Sequence, residues 1–112
     1  MAFLGTWNWI QNNIQVGQFV NNWTRERGEN VQNRIKIVGV STENVKIDND
    51  PNAKYPNEIT VKKNDFQKVY DNWNEYINEN IQRQDLKPDN FKTRYVLNIL
   101  RFVEKENGGT LP

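Results

Sequence analysis

The sequence predicts an α+β fold: an N-terminal helical segment, a three-stranded antiparallel sheet and two C-terminal helices, the first packed on the sheet. Three observations carry this. Phe66, Val69, Tyr70, Trp73, Tyr76 and Ile77 recur at helical spacing within residues 62–81, so they share one face while Lys68, Asp71, Asn72, Asn74 and Glu75 take the other. Between Arg34 and Lys62 the hydrophobic period shortens to two, the mark of strands with one apolar side. Beyond residue 90, Phe91, Tyr95, Val96, Ile99, Leu100, Phe102 and Val103 return to the helical period.

At the N-terminal end, Phe3, Leu4, Trp7, Ile10 and Ile14 keep helical spacing, Gly17 interrupts, and Phe19, Val20 and Trp23 resume it. The reading is one short helix near 6–14 and a second near 17–26, closed by Gly28 as a C-cap. Trp7 and Trp9 are two residues apart, and a helix cannot bury both on one side. They form a candidate partner-binding surface, because aromatic residues are enriched at interfaces.

Arg34–Val40 reads as a strand with Ile35 and Ile37 inward; residues 41–43 turn, and Asn44–Asp48 alternates again with Val45 and Ile47 inward. A loop over 49–57, punctuated by Pro51 and Pro56, leads to a third strand, Glu58–Lys62, with Ile59 and Val61 inward. Three strands with one apolar face need a helix across that face. The aromatic stripe of 62–81 is the expected cover, with Asn64 as its N-cap and Gln67 as the capping-box partner. That helix frays at 78–80, Ile81 and Leu86 anchor a connection, and Pro88 bars a backbone donor. The last helix starts after Asp89 or Asn90 and stops at Gly108-Gly109. One domain is expected, with its core over about 6–106 and a loose tail over 107–112.

Composition narrows the chemistry. Only 36% of the 112 residues are hydrophobic, and the mean hydropathy is −0.93, so four Trp, four Tyr and five Phe must supply much of the core. The absence of Cys removes disulfides and thiolate catalysis, and the absence of His removes the commonest general base and metal ligand. The N-terminus lacks a basic n-region and a long apolar run, so no signal peptide is expected. No stretch approaches the roughly 18 apolar residues of a membrane span. The expectation is a cytoplasmic protein with no membrane contact.

Two carboxylate constellations fall short of catalysis. Asp48-Asn49-Asp50-Pro51-Asn52 starts like a calcium loop, but Ala53 stands where the sharp turn needs Gly and Ile59 where a bidentate Glu belongs. A metal-dependent nuclease would want acids and a Lys converging at strand ends. Asp48, Glu58 and Lys62 lie on suitable strands, yet Glu58 and Lys62 are roughly 13 Å apart along theirs. The reading is therefore no enzyme, no cofactor and no metal, with the nuclease as a remote alternative.

The outward sheet face is the more informative feature. Arg34, Lys36, Lys46 and Lys62 are predicted to point away from the helices, with Thr60 among them and Arg25, Arg27 and Lys63 along the border. Such a stripe neutralises backbone phosphates. No aromatic residue is expected on that face, which counts against stacking on bases. A net charge of +1 also counts for an ordinary solvated face, on which Lys guards strand edges.

Several runs share a pattern: Pro51-Asn52-Ala53-Lys54, Ile59 through Phe66, Val69-Tyr70, Trp73, Asn22-Trp23-Thr24-Arg25 with Gly28, and Ile81-Gln82-Arg83. Over residues 18–103 this spacing resembles an uncharacterised family of small bacterial proteins. The resemblance implies a bacterial or mobile-element origin and a single domain, and it carries over no catalytic residue. The functional expectation is a small non-enzymatic binding module. Its partner is either nucleic acid, met by the basic face, or protein, met by Trp7 and Trp9, with self-association open as well.

Overall fold

The computed structural model describes residues 3–86 and 92–112. The order is α1 (Phe3–Asn13), β1 (Phe19–Thr24), β2 (Gly28–Val40), β3 (Asn44–Asp48), β4 (Glu58–Lys62), α2 (Lys63–Tyr70), α3 (Trp73–Ile77), a 3-10 turn (Arg83–Asp85) and α4 (Thr93–Glu106). The α+β class stands, but the sheet has four antiparallel strands in the order β1-β2-β3-β4. The ranges expected for the second and third predicted strands coincide with β3 and β4, and Ile35, Ile37, Val45, Ile47 and Val61 are buried as anticipated.

The extra strand replaces the helix expected over 17–26. Val20 and Trp23 are three apart, which mimics a helical step, but both are buried from a strand because β1 is irregularly paired. Asn21 faces Arg34 and Asn22 faces Asn30, so residues 31–33 of β2 have no partner and the register shifts. The Asn30 Oδ1 accepts the backbone N–H groups of Gln32 and Asn33 at 3.0 and 3.2 Å and holds this bulge together. Gly17, at φ 94°, turns the chain from α1 into β1, a conformation other residues adopt with strain. Gly28, expected to cap a helix, ends the turn between β1 and β2 at φ 74°.

The long helix of 62–81 divides at Asp71-Asn72 into α2 and α3. Asn72 sends its backbone N–H to the Val69 carbonyl at 3.1 Å and its side-chain amide to the Lys68 carbonyl at 3.1 Å. A side chain competing for helical carbonyls in this way is the reason for the break. The aromatic face survives it: Phe66, Val69, Trp73 and Tyr76 are buried, and Tyr70 and Ile77 pack against them. The N-terminal boundary differs too. Lys62 is the N-cap, and its N–H donates to the Asp65 carboxylate at 2.9 Å, which leaves Asn64 and Gln67 exposed.

Cover of the sheet is shared. α4 lies along β1 and packs on α2, while α2 continues directly from β4, so the predicted arrangement with one covering helix is replaced by a layer of helices. Ring contacts join these elements: Trp7 to Phe66 at 5.3 Å, Phe3 to Tyr70 at 5.4 Å, and Trp23 to Trp73 at 6.0 Å between centroids. Gly108 and Gly109, both at positive φ, stop α4 with the Gly109 N–H reaching back to the Glu104 carbonyl at 2.8 Å. The segment expected to hang loose instead returns to the N-terminal helix. Leu111 packs on the core, and the Thr6 hydroxyl donates to the Pro112 carbonyl at 2.7 Å. The predicted roles of Pro88, Asp89, Asn90 and Phe91 fall outside the described residues.

Asn98 ties α4 to β1. Its Oδ1 accepts the Trp23 N–H at 2.8 Å, and its amide donates to Asn22 Oδ1 at 2.8 Å, all on a residue that is buried. In Asn98→Ala the Trp23 donor loses its partner. Unfolding free energy should fall by about 1–3 kcal/mol, seen as a lower urea midpoint at unchanged slope. A loss under about 0.5 kcal/mol would show that water or a neighbour replaces the amide.

Candidate nucleic-acid interface

Strand pairing places four cations on the outward face. Lys36 pairs with Asp48, Lys46 with Thr60 and Lys62 with Asn44, while Arg34 pairs with Asn21 of β1. Read along the strands, Arg34, Lys36, Lys46 and Lys62 form a diagonal that crosses from β2 to β4. With two residues per about 6.6 Å and strands about 4.8 Å apart, the diagonal is about 20 Å long. Arg34, Lys46 and Lys62 are exposed and Lys36 is half-buried. Among the described residues none of the four forms an ion pair; the pairs present are Arg25 with Glu26, Arg101 with Glu104 and Lys105 with Glu29.

The face also carries a ring, contrary to the sequence expectation. Phe19 pairs with Lys36 across β1 and β2 and keeps 40% of its surface exposed. The Arg34 guanidinium sits 4.2 Å from the centroid of that ring and the Lys36 ammonium 5.9 Å from it. Such contacts hold cations against an aromatic face without neutralising them. Phe19 reaches this face because residues 19–24 form a strand and not the expected helix.

The predicted border residues part ways. Arg25 does not join the face: one of its Nη groups donates to the carbonyls of Tyr76 and Ile81, and the guanidinium lies 4.5 Å from the Tyr76 ring. It secures the chain reversal after α3, where Glu79 adopts φ 64°. Burial pushes the Tyr76 phenol above its ordinary value, with nearby Glu26 adding to the shift and Arg25 opposing it. Arg27 is exposed in the turn before β2. Lys63 opens α2 beside Lys62, its backbone N–H bonded to the Glu43 carbonyl at 3.0 Å. Trp7 is buried, with its indole N–H donating to the Thr42 carbonyl at 3.2 Å, and Trp9 is half-buried against the core. Trp7 is therefore a packing residue and not an exposed contact.

Of the carboxylates that raised metal chemistry, Asp48 has structural work. Asp48 and Glu58 are cross-strand partners, but Asp48 Oδ1 accepts the N–H groups of Asp50 and Asn57 at 3.0 and 3.1 Å and clasps the 49–57 loop. Among the described residues no three acidic groups converge on one point, and no helix is long and apolar enough to cross a membrane.

At the free side of β1, a second feature adjoins the face. A cavity of about 230 Å³ lies between β1 and α4, lined by Phe19, Val20, Trp23, Arg101 and Phe102 among others. Its rim is held by Glu29, whose carboxylate accepts from Lys105 Nζ at 2.7 Å and from Asn21 Nδ2 at 2.6 Å. No family model, curated protein or solved structure matches the chain.

The Lys105 and Asn21 hydrogen bonds hold the Glu29 carboxyl below its ordinary value of 4.5, against a smaller opposing effect of burial. A lowered folded-state value means that the tie adds stability above pH 4.5 and loses it as the pH falls through the folded value. In Lys105→Gln the Glu29 titration, followed by carboxyl-carbon NMR, should move up toward 4.5. An unmoved midpoint would assign the shift to Asn21 alone.

Proposed function

We propose that the chain is a small non-enzymatic module that binds single-stranded nucleic acid across the outward sheet face. The observation that carries this reading is the diagonal of Arg34, Lys36, Lys46 and Lys62, unpaired by carboxylates and flanked by the exposed Phe19 ring. Single-strand binders combine a cationic track for the backbone with aromatic faces for the bases. The face has both, and a length of about 20 Å suits three or four successive phosphates. The four cations are spread over three strands and not along one helix or two-stranded ribbon, the elements that a duplex major groove admits, so single strands are the better fit. The protein-partner alternative, which needs one exposed ring of Trp7 and Trp9, now rests on the half-buried Trp9 alone, since Trp7 is in the core. A bacterial or mobile-element source is part of the same proposal.

The test is fluorescence anisotropy with a labelled single-stranded oligonucleotide across a salt series. Four phosphate contacts give a slope of log K against log salt of about −2.8, and Lys36→Ala or Lys46→Ala should each flatten it by about 0.7. Arg25→Ala should lower thermal stability and leave the slope unchanged. No binding at about 50 mM salt, or a slope indifferent to both lysines, would leave a face that is merely solvated.

A further inference from the structure

We propose that the cavity between β1 and α4 is a nucleobase pocket, which receives one base of the strand whose phosphates lie along the sheet face. The proposal rests on the single-strand reading and adds a site to it. The volume of about 230 Å³ is below the range of about 300–1,000 Å³ that drug-sized ligands occupy, and suits one planar ring system. Its walls are built for such a ring. Trp23 lies on the inner side with the Arg101 guanidinium 5.5 Å from its ring centroid, Phe102 stands half-buried on α4, and Phe19 closes the sheet side. Every base has a π-face, so aromatic walls of this kind take a base without demanding its identity.

Hydrogen bonding at the pocket comes from the backbone. β1 is an edge strand, and the Trp23 N–H points away from β2 to Asn98. The alternation of an antiparallel ladder puts the N–H and C=O groups of Phe19 and Asn21 on the same free side. A donor beside an acceptor is what the pairing edge of a base complements. The same geometry disfavours an added peptide strand. Asn98 already fills one ladder position, and Arg101 and Phe102 of α4 line the space through which an extended chain would continue.

Charge separates the pocket from the phosphate track. Glu29 pairs with Lys105 at the rim and Glu104 accepts from Arg101 at 2.6 Å, so the cations near the cavity are matched. Among the described residues, Arg34, Lys36, Lys46 and Lys62 on the outward face have no such carboxylate within ion-pair distance. Phe19 links the two: it lines the cavity on one side and carries Arg34 at 4.2 Å on the other. A strand held by Arg34 and Lys36 passes directly over the mouth.

Two measurements test this on the full chain. In NMR titration with thymidine and deoxyadenosine, which carry no phosphate, the Trp23 and Phe102 ring resonances should shift and saturate in the wild type. Phe102→Ala should abolish that response, and Phe102→Leu, which keeps apolar bulk without a π-face, should weaken it. In anisotropy, one abasic site moved along the oligonucleotide should weaken wild-type binding about tenfold at one position, and Phe102→Ala should be indifferent to it at an unchanged salt slope. Equal affinity for intact and abasic strands, with nucleosides leaving both rings unmoved, overturns the pocket and leaves the sheet-face reading intact. Loss of all oligonucleotide binding at low salt overturns the sheet-face reading, and the nucleoside titration then decides the pocket alone. Saturating shifts from an aromatic peptide and none from nucleosides would assign the cavity to a protein partner, against the proposal.

Discussion

The chain holds apolar surface enough to cover one side of its sheet and no more. With 36% hydrophobic residues, burial has to come from a few large side chains, and these are concentrated on the helical side. Phe3, Trp7, Phe66 and Tyr70 form one run of rings, and Trp23, Trp73 and Tyr76 form another. Burying one such ring stabilises by roughly 1.5–3 kcal/mol for its area alone. Each polar atom brought in with a ring needs a partner as well. Trp73 shows how this is met: its indole N–H donates to Glu104 at 3.0 Å, and Glu104 in turn accepts from Arg101. The buried carboxylate is thereby engaged on both oxygens.

The bare face follows from that limit. A sheet with nearly all its rings on one side presents its alternate residues to water on the other, and here those include Arg34, Lys36, Lys46, Thr60 and Lys62, with Phe19 the ring among them. Stability asks only that this side be polar. It does not ask that the charges be of one sign or stand without counter-ions. Beside the cavity the fold does pair its charges, Lys105 with Glu29 and Arg101 with Glu104. Glu58 is the one exposed acid on a β4 pairing position of this face, and Asp48 is drawn off to the loop. Packing accounts for the face being polar but not for the diagonal being cationic.

Much of this was legible because period-two alternation is hard to imitate. Ile35, Ile37, Val45, Ile47 and Val61 set the inner side of three strands, and the outward position of Lys36, Lys46 and Lys62 followed at once. Phe19–Thr24 was not legible. Its alternation is broken by the odd step of three from Val20 to Trp23, both buried, which irregular pairing with β2 and packing against α4 explain, and the contact with Asn98 of α4 lies 75 residues away in sequence. The division of the long helix at Asn72 was equally hidden, since Trp73 and Tyr76 keep the spacing of an unbroken helix. The missed strand had the larger consequence. It carried Phe19 to the face and created the cavity beside α4, so the features that favour base contact arose from a tertiary contact and not from local pattern.

A net charge of +1 is no obstacle to a phosphate track, for a reason of length scale. At physiological ionic strength a charge is screened over about 8 Å, while the sheet and helix layers present their surfaces on opposite sides of a molecule 27 Å or more across. Acids on the helical side therefore do little to cancel the field above Lys36 and Lys46. The nearer acids are Asp48, across from Lys36 and bonded to the loop, and Glu58 beside it. What the near-neutral total does remove is long-range attraction, which depends on the whole molecule's charge. A strand would be drawn in late, held by few contacts, and released readily as salt rises. Under those conditions the four cations cannot supply selectivity, because phosphate contacts position a strand without reading it. Any preference among sequences has to come from the one place where a ring, a strand edge and a cavity meet, at Phe19.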